Sequence, residues 1–415
     1  MKALWFSHVP SILPYSGGSV FCGWIGGLLK AVCSVPDLEL GVAAFSDSGD
    51  VAISRNGITY FGLNHDTSLR GKCVRLFDVS ARDGSDVEAC LRVVRQFQPD
   101  IIHVFGTEGP AGLLSERTNV PVLIYLQGLL GPSLNAWLPP FYSVCDLLAR
   151  TGRSPLRLAR QWHAWRYNRH AAAREREILR NGRFFLGRTE WDRTYVSLYA
   201  PQARYFRCEE VLRPEFSEPA DRHPSGKPLF VSTLSGPLYK GHDVVLKTAK
   251  VLRETGHDNF EWRVFGVEDF RFAEKKTGVR SGDVHVRAMG CVPAPVLRDE
   301  LLSCTAYVHP SYIDNSPNGV CEAQVLGVPV VATNVGGVSS IVAEGKTGFL
   351  VPANDPVALA RRMIDLATGA LRLPDDWESG PRSRHDSARI AERVLGIYRE
   401  ISEESVPSRD RRGPT

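Results

Sequence analysis

Short, nearly continuous apolar runs alternate with helix-period segments along almost all of this 415-residue chain, and that rhythm restricts the fold more than any other feature. Runs such as Ile101–Phe105 and Val122–Leu126 have no polar side to turn to water, so they read as strands buried on both faces. Strands of that kind sit in parallel sheets, and the helical segments between them supply the crossovers. In the first half the candidate strands are Ala3–Ser7, Leu40–Phe45, Ile58–Gly62, Ile101–Phe105, Val122–Leu126 and Phe184–Leu186. Helices are expected over Val20–Cys33 and Asp86–Phe97, and over 144–182 with a break near Ser154-Pro155.

The pattern stops in the polar, proline-bearing segment Pro214–Pro228 and then restarts. Strands follow at Leu229–Thr233, Trp262–Phe265, Val284–Val286, Ala306–His309, Val328–Ala332 and Phe349–Val351. Helices are expected over His242–Glu254, Ala294–Ser303, Gly319–Leu326, Val338–Ala343, Pro356–Ala367 and Asp386–Ile401. A single core does not grow to this length, so the expectation is α/β with two Rossmann-like domains facing a central cleft. The boundaries read as 1–217, 218–383, a crossover helix 384–402 packing back on the first domain, and a disordered tail 403–415. The nine cysteines form no Cys-x-x-Cys pair and read as small buried apolar groups in a reducing compartment. With no uninterrupted apolar stretch of about 18 residues and a strand where a secretory leader would stand, a cytoplasmic protein is expected.

Three loops at strand ends carry candidate chemistry. The first, Pro14-Tyr15-Ser16-Gly17-Gly18-Ser19, leads from a strand into a helix, so Gly17 and Gly18 allow close backbone approach to a phosphate at the helix N-terminus. A plain Gly-Gly turn explains the same residues equally well. The second, Ser235 to Gly241, places Lys240 beside another helix N-terminus, where it suits a diphosphate. The third runs from His309 to Ala323. Asp314 and Glu322 bracket Asn315, Ser316, Pro317 and Asn318, so both carboxylates can face one ligand at a helix start. Simple capping by Asp314 or Asn315 leaves Glu322 unexplained, because an apolar run follows it and a carboxylate there wants a partner.

The run Asp314 to Glu322, then Gly327-Val328-Pro329-Val330-Val331 and Gly336-Gly337, resembles the signature of the retaining glycosyltransferases of family 4, which have the GT-B fold. Gly345 to Val351 and Lys240-Gly241 resemble further elements of that family. The resemblance implies that Glu322 holds the donor ribose, Asp314 the sugar, and Lys240 the diphosphate. Asp314 stands where the family more often has Glu, Ser235 where it has Arg, and Gln127 where many members have His. Gly187-Arg188-Thr189 with Asp192 resembles an element found before the linker in part of the family, which implies a cleft-lining Arg188. Glu108 and Gln127, in loops after two first-domain strands, are the candidate acceptor contacts. His103, inside a strand, reads more simply as a core histidine.

The resemblance implies transfer of a sugar, with retention, from a nucleoside-diphosphate sugar to a glycan or polyprenyl-linked acceptor in bacterial surface polysaccharide synthesis. A UDP-sugar is the favoured donor, and it is a substrate, with no cofactor expected. No Asp-x-Asp sits at a strand end, so a metal-independent reaction is expected. Competing readings are a nucleotide-sugar epimerase or hydrolase and a non-catalytic nucleotide-sugar-binding protein, the last motivated by Ser235 and Gln127. Separately, 150–183 holds ten Arg against Glu175 and Glu177, with Trp162, His163, Trp165 and Tyr167 interleaved. This suits peripheral contact with an anionic membrane through 150–180, on the inner face, and equally a solvated helix with both tryptophans packed inward. No nucleic-acid partner is expected.

Overall fold

The computed structural model describes the chain except for residues 15–22, 34, 36–37, 47–49, 65–79, 151–153, 219, 225 and 406–415. The first sheet contains β1 (Lys2–Ser7), β2 (Glu39–Phe45), β3 (Val51–Arg55), β4 (Ile58–Leu63), β5 (Ile101–Phe105), β6 (Val122–Tyr125), β7 (Phe184–Gly187) and β8 (Arg204–Arg207). Their order is β3-β4-β2-β1-β5-β6-β7-β8, parallel throughout except for the β3–β4 hairpin. The second sheet contains β9 (Leu229–Thr233), β10 (Glu261–Phe265), β11 (Val286–Gly290), β12 (Ala306–His309), β13 (Val330–Thr333) and β14 (Phe349–Val351). Its order is β11-β10-β9-β12-β13-β14, and every pair is parallel. Both orders change direction beside their first strand, and that is where a doubly wound sheet opens a crevice at its strand ends.

Burial explains why the apolar runs are continuous. Every residue of β5, β6, β7, β12 and β13 is buried, because helices cover both faces. Each sheet accordingly has two apolar clusters, one per face. The helix Ser387–Ser405 returns to the first domain, where Ile390, Val394, Leu395, Ile397 and Ile401 join the same cluster as Trp24, Ile25 and Leu28.

Several sequence expectations are corrected. β3 was not anticipated, although Asn56-Gly57 between two β-runs is a hairpin signal, and both residues adopt positive φ. β8 was also missed, since Arg-Tyr-Phe-Arg exposes both arginines on an edge. The Val284 strand shifts to Val286–Gly290, and Val338–Ala343 forms only a short helical turn over Val338–Ser340. Residues 403–405 of the expected tail belong to the last helix; the remainder lies outside the described residues. Cys33, Cys145 and Cys291 are exposed, whereas Cys90, Cys208, Cys304 and Cys321 are buried. Among the described residues, no helix is long and apolar enough to cross a membrane.

Candidate active site

The second sheet builds a polar corner at the carboxyl ends of β9 and β12. After β9 the chain makes one helical turn at Leu238–Lys240 and enters the helix His242–Glu254 through Gly241. Gly241 has φ +85°, and a Cβ there would lie 2.2 Å from the Pro310 carbonyl, so only glycine lets this loop pack against the loop after β12. That approach brings Lys240 Nζ to 2.6 Å from Asp314 Oδ2, across 74 residues of sequence. His309, the last residue of β12, has Nε2 3.1 Å from the same oxygen. Burial alone would push the Asp314 carboxyl up, but Lys240 and His309 hold it well below the ordinary carboxylate range. Burial likewise pulls Lys240 down, and Asp314 overrides it and raises the ammonium. Each partner of the pair therefore favours the charged form of the other.

The helix Asn318–Val325 starts just beyond. Gly319 lets it sit on the sheet, because a Cβ would lie 2.3 Å from Tyr307 Oη and 2.4 Å from Thr233 Oγ1. Pro317 at its cap makes no side-chain capping bond, and Pro317 and Asn318 are half-buried at the cleft. Glu322, one turn in, is buried. The partner its burial demands is Arg213, whose Nε and Nη2 each donate to one carboxylate oxygen at 2.8 Å. Burial raises the Glu322 carboxyl, and Arg213 pulls it back. Arg213, immediately before the Pro214–Pro228 segment, was not anticipated. The signal was the reverse one: a carboxylate inside an apolar helix implies a buried cation somewhere.

Asn315 and Ser316, expected as donor contacts, are engaged by first-domain residues. Both are buried in the joint between the domains. Asn315 Nδ2 donates to Asp192 Oδ1 (2.8 Å) and the Gln127 carbonyl (3.2 Å), and its Oδ1 accepts from Thr189 Oγ1 (2.8 Å). Ser316 Oγ donates to Glu210, at 3.2 Å from Oε1. Arg188 is buried at the same joint. Its Nη1 donates to Glu210 Oε2 (2.7 Å), its Nη2 donates to the Gln127 carbonyl (3.1 Å), and its guanidinium lies over Trp24 and Tyr125. Burial pushes Glu210 up, but Arg188 and His385 more than offset it and leave the carboxyl lowered. Gly336 and Gly337 back this joint, because a Cβ on either would strike Asp314 or Asn315.

On the first-domain side, Glu108 lines a cavity of about 300 Å³ together with Ser7, His8, Arg82, Asp83 and Asp86. Gly106 (φ +85°) makes room for its carboxylate, whose Oε2 is buried without a hydrogen-bond partner among the described residues. Gln127 is half-buried, and its backbone carbonyl serves the interdomain joint. Buried Glu175 holds the adjoining loop by accepting from Leu130 N (2.9 Å), Gly131 N (3.0 Å) and Thr107 Oγ1 (2.7 Å). Gly17 and Gly18 lie outside the described residues. His103 is a core residue, bonded through Nδ1 to Tyr398 Oη at 2.5 Å.

Two parallel-sheet α/β domains, facing each other at their strand ends and tied by a returning C-terminal helix, define the GT-B fold. Sucrose-phosphate synthase from Thermosynechococcus elongatus matches with a TM-score of 0.69 at 17% identity, covering 97% of this chain and 99% of that one. Anabaena Alr3699/HepE in complex with UDP and glucose matches with a TM-score of 0.62 at 14% identity, covering 96% and 99%. Residues 226–368 match the family model described as Glycosyl transferases group 1, and this second domain belongs to that family. A D-inositol 3-phosphate glycosyltransferase of Streptomyces avermitilis is 34% identical over 175 residues, 40% of this chain and 36% of the relative. The matched part of the chain spans about a third of the length of the curated relatives.

Proposed function

We propose that this protein is a retaining glycosyltransferase that moves a sugar from a nucleoside-diphosphate sugar to a hydroxyl of a glycan or lipid-linked acceptor, without a metal ion. The observation that carries the reading is the Lys240–Asp314 pair beside the uncapped start of the Asn318–Val325 helix. A lysine ammonium has three donors and Asp314 takes one, so Lys240 keeps two for a diphosphate. The first-turn N–H groups at Asn318 and Gly319 and the positive end of the helix favour the same anion. Glu322 keeps lone pairs beyond the two that Arg213 uses, and these can accept from ribose hydroxyls. Asp314 would orient the sugar.

In that frame the bond from anomeric carbon to diphosphate oxygen breaks, and a bond to the acceptor oxygen forms on the same face. The leaving phosphate oxygen takes the acceptor's proton. Catalysis then comes from stabilising the leaving group's charge at Lys240 and from orienting the acceptor. Glu108, in the opposing cavity, is the acceptor contact that this arrangement favours. A UDP-sugar is the first donor to test, in keeping with the UDP in the Anabaena complex. The surface-polysaccharide role and a cytoplasmic setting are part of the same reading.

The test is nucleoside diphosphate release, measured chromatographically in EDTA, from UDP-, GDP-, ADP- and dTDP-sugars with and without a membrane lipid extract. Release from one donor that falls at least 100-fold in both Lys240→Ala and Glu322→Ala supports transfer. Tight donor binding with no release under any acceptor condition would overturn it in favour of a binding protein.

A further inference from the structure

An apolar groove of about 670 Å³ opens beside the cleft. One wall is the helix Pro155–Asn181, on which Leu158, Trp162 and Trp165 recur at helical spacing and share a face. The facing wall, with Val144 and Leu147, belongs to the helix Val144–Arg150. That wall is pinned to the second domain, because Lys276 Nζ donates to Asp146 Oδ2 at 2.8 Å. The floor is Gly236–Tyr239, the same loop whose next residue is Lys240. The groove is therefore walled on both sides and ends at the diphosphate corner.

Its lining is costly to leave in water. Trp162 and Val144 are each 61% exposed, and Trp162 stacks on Trp165 at 5.1 Å. Of the two arrangements the sequence allows for this helix, inward packing of both tryptophans is not the one formed: they line the groove. A continuous apolar surface of this kind marks a binding site. Its rim is basic. The Arg169 guanidinium lies over the Trp165 ring at 4.7 Å, which sets a cation at the edge of the lining. An apolar trough with a cationic edge complements a hydrocarbon chain that carries a negative head. A protein segment filling the trough would plug the loop that carries Lys240, whereas a substrate chain enters and leaves.

We propose that this groove seats the hydrocarbon chain of an anionic amphiphile and presents its head group to the cleft. Resting on the transferase reading, that amphiphile is the acceptor, and chain binding itself can be measured without it. The probe is dodecyl phosphate below its micellar concentration, in equilibrium dialysis against the full-length protein, with butyl phosphate, inorganic phosphate and phosphatidylglycerol vesicles as comparisons. Saturable binding is expected for dodecyl phosphate, about tenfold tighter for each two-carbon extension until the groove is full. Inorganic phosphate at the same concentration is expected not to displace it. Leu147→Glu is expected to weaken it at least tenfold. Trp162→Ser, at an exposed position that leaves the fold intact, is expected to do the same. UDP binding in the same cells is expected to be unchanged in both variants, so a failed transferase reading and a failed groove are distinguishable. Equal binding of butyl and dodecyl phosphate, unchanged binding in both variants, or vesicle adsorption without monomer binding would overturn the proposal.

Discussion

Asn315 donates from Nδ2 to Asp192 Oδ1 at 2.8 Å, and this buried bond joins the two domains one residue away from Asp314. Asp192 has a second task. Its Oδ2 accepts from Arg188 N and Thr189 N and completes a capping box on the helix Glu190–Tyr199. One carboxylate therefore fixes the start of a first-domain helix and the loop that presents Asp314 in the second. Burial raises the Asp192 carboxyl, and the N–H groups of Arg188 and Thr189 restrain it.

Asn315→Asp places a second carboxylate against Asp192, and two carboxylates at that range resist being ionised together. The variant is expected to be less stable than Asn315→Ala at neutral pH. Its deficit is expected to shrink as pH falls and one of the two takes a proton. Asn315→Ala itself removes a bond to a buried charge, a loss of about 2–3 kcal/mol. Thermal unfolding of both variants at several pH values checks the order and the crossover. A pH-independent gap between them would refute the contact.

How much of this site was legible in the sequence depends on how local each contact is. The alternation of apolar runs reports burial residue by residue, so the buried strands of both sheets could be read directly, while the exposed edge strands β3 and β8 could not. Lys240, Asp314 and Glu322 stood out because a charged residue at a strand end or inside an apolar helix needs a reason. The joint was not legible, because Asn315, Thr189 and Asp192 look like ordinary loop and capping residues until the second domain arrives. Arg188 shows the same limit: being at a strand end does not announce that Glu210, 22 residues on, is its buried partner. The groove was half visible, since interleaved Arg and Trp announced an amphipathic surface but not the facing helix that turns it into a trough.

Arg213 and Glu322 form a pair whose halves are worth less apart than together. Arg213→Leu leaves a buried carboxylate with no cation and is expected to cost about 3 kcal/mol. Arg213→Leu combined with Glu322→Gln removes the stranded charge and is expected to recover a large part of that loss, while donor binding stays impaired. Paired chemical denaturation and UDP titration separate the two effects. If the double variant is no more stable than Arg213→Leu, the buried pair is not what holds this helix.

The Lys240–Asp314 pair is expected to be insensitive to pH over the working range. The Asp314 value is depressed, so its contribution is present above the ordinary value of 3.8 and is lost only deeper in acid, as pH falls through the folded value. The Lys240 value is raised, so its contribution is present below 10.5 and is lost only as pH rises through the still higher folded value. With His309→Gln introduced into both proteins, so that no imidazole stands beside the corner, the stability difference between the Asp314 and Asp314→Asn forms should therefore be flat from about pH 5 to about pH 9. A slope in this window, followed by thermal unfolding, would place a different protonation state at the corner.

His103 ties the returning helix to pH in the opposite way. Its Nδ1 bonds Tyr398 Oη, which also accepts from Trp5 Nε1 at 2.9 Å, so one hydroxyl links β1, β5 and the Ser387–Ser405 helix. Burial lowers the imidazole to about 3, and the ring stays neutral in the folded protein. Unfolding restores the ordinary value of 6.5, so the unfolded chain binds one more proton between these limits. Stability from this group is complete above pH 6.5 and drains away as pH falls toward 3, with a slope approaching about 1.4 kcal/mol per pH unit. His103→Phe is expected to flatten the acid limb of the stability curve by that slope. Tyr398→Phe leaves the imidazole and the indole N–H without their shared partner, and is expected to cost about 1–3 kcal/mol. Hydrogen exchange should show that loss as faster opening over 390–401, with the Lys240 corner unaffected. Uniform acceleration through both domains would mean that the returning helix is not a separately closing clasp.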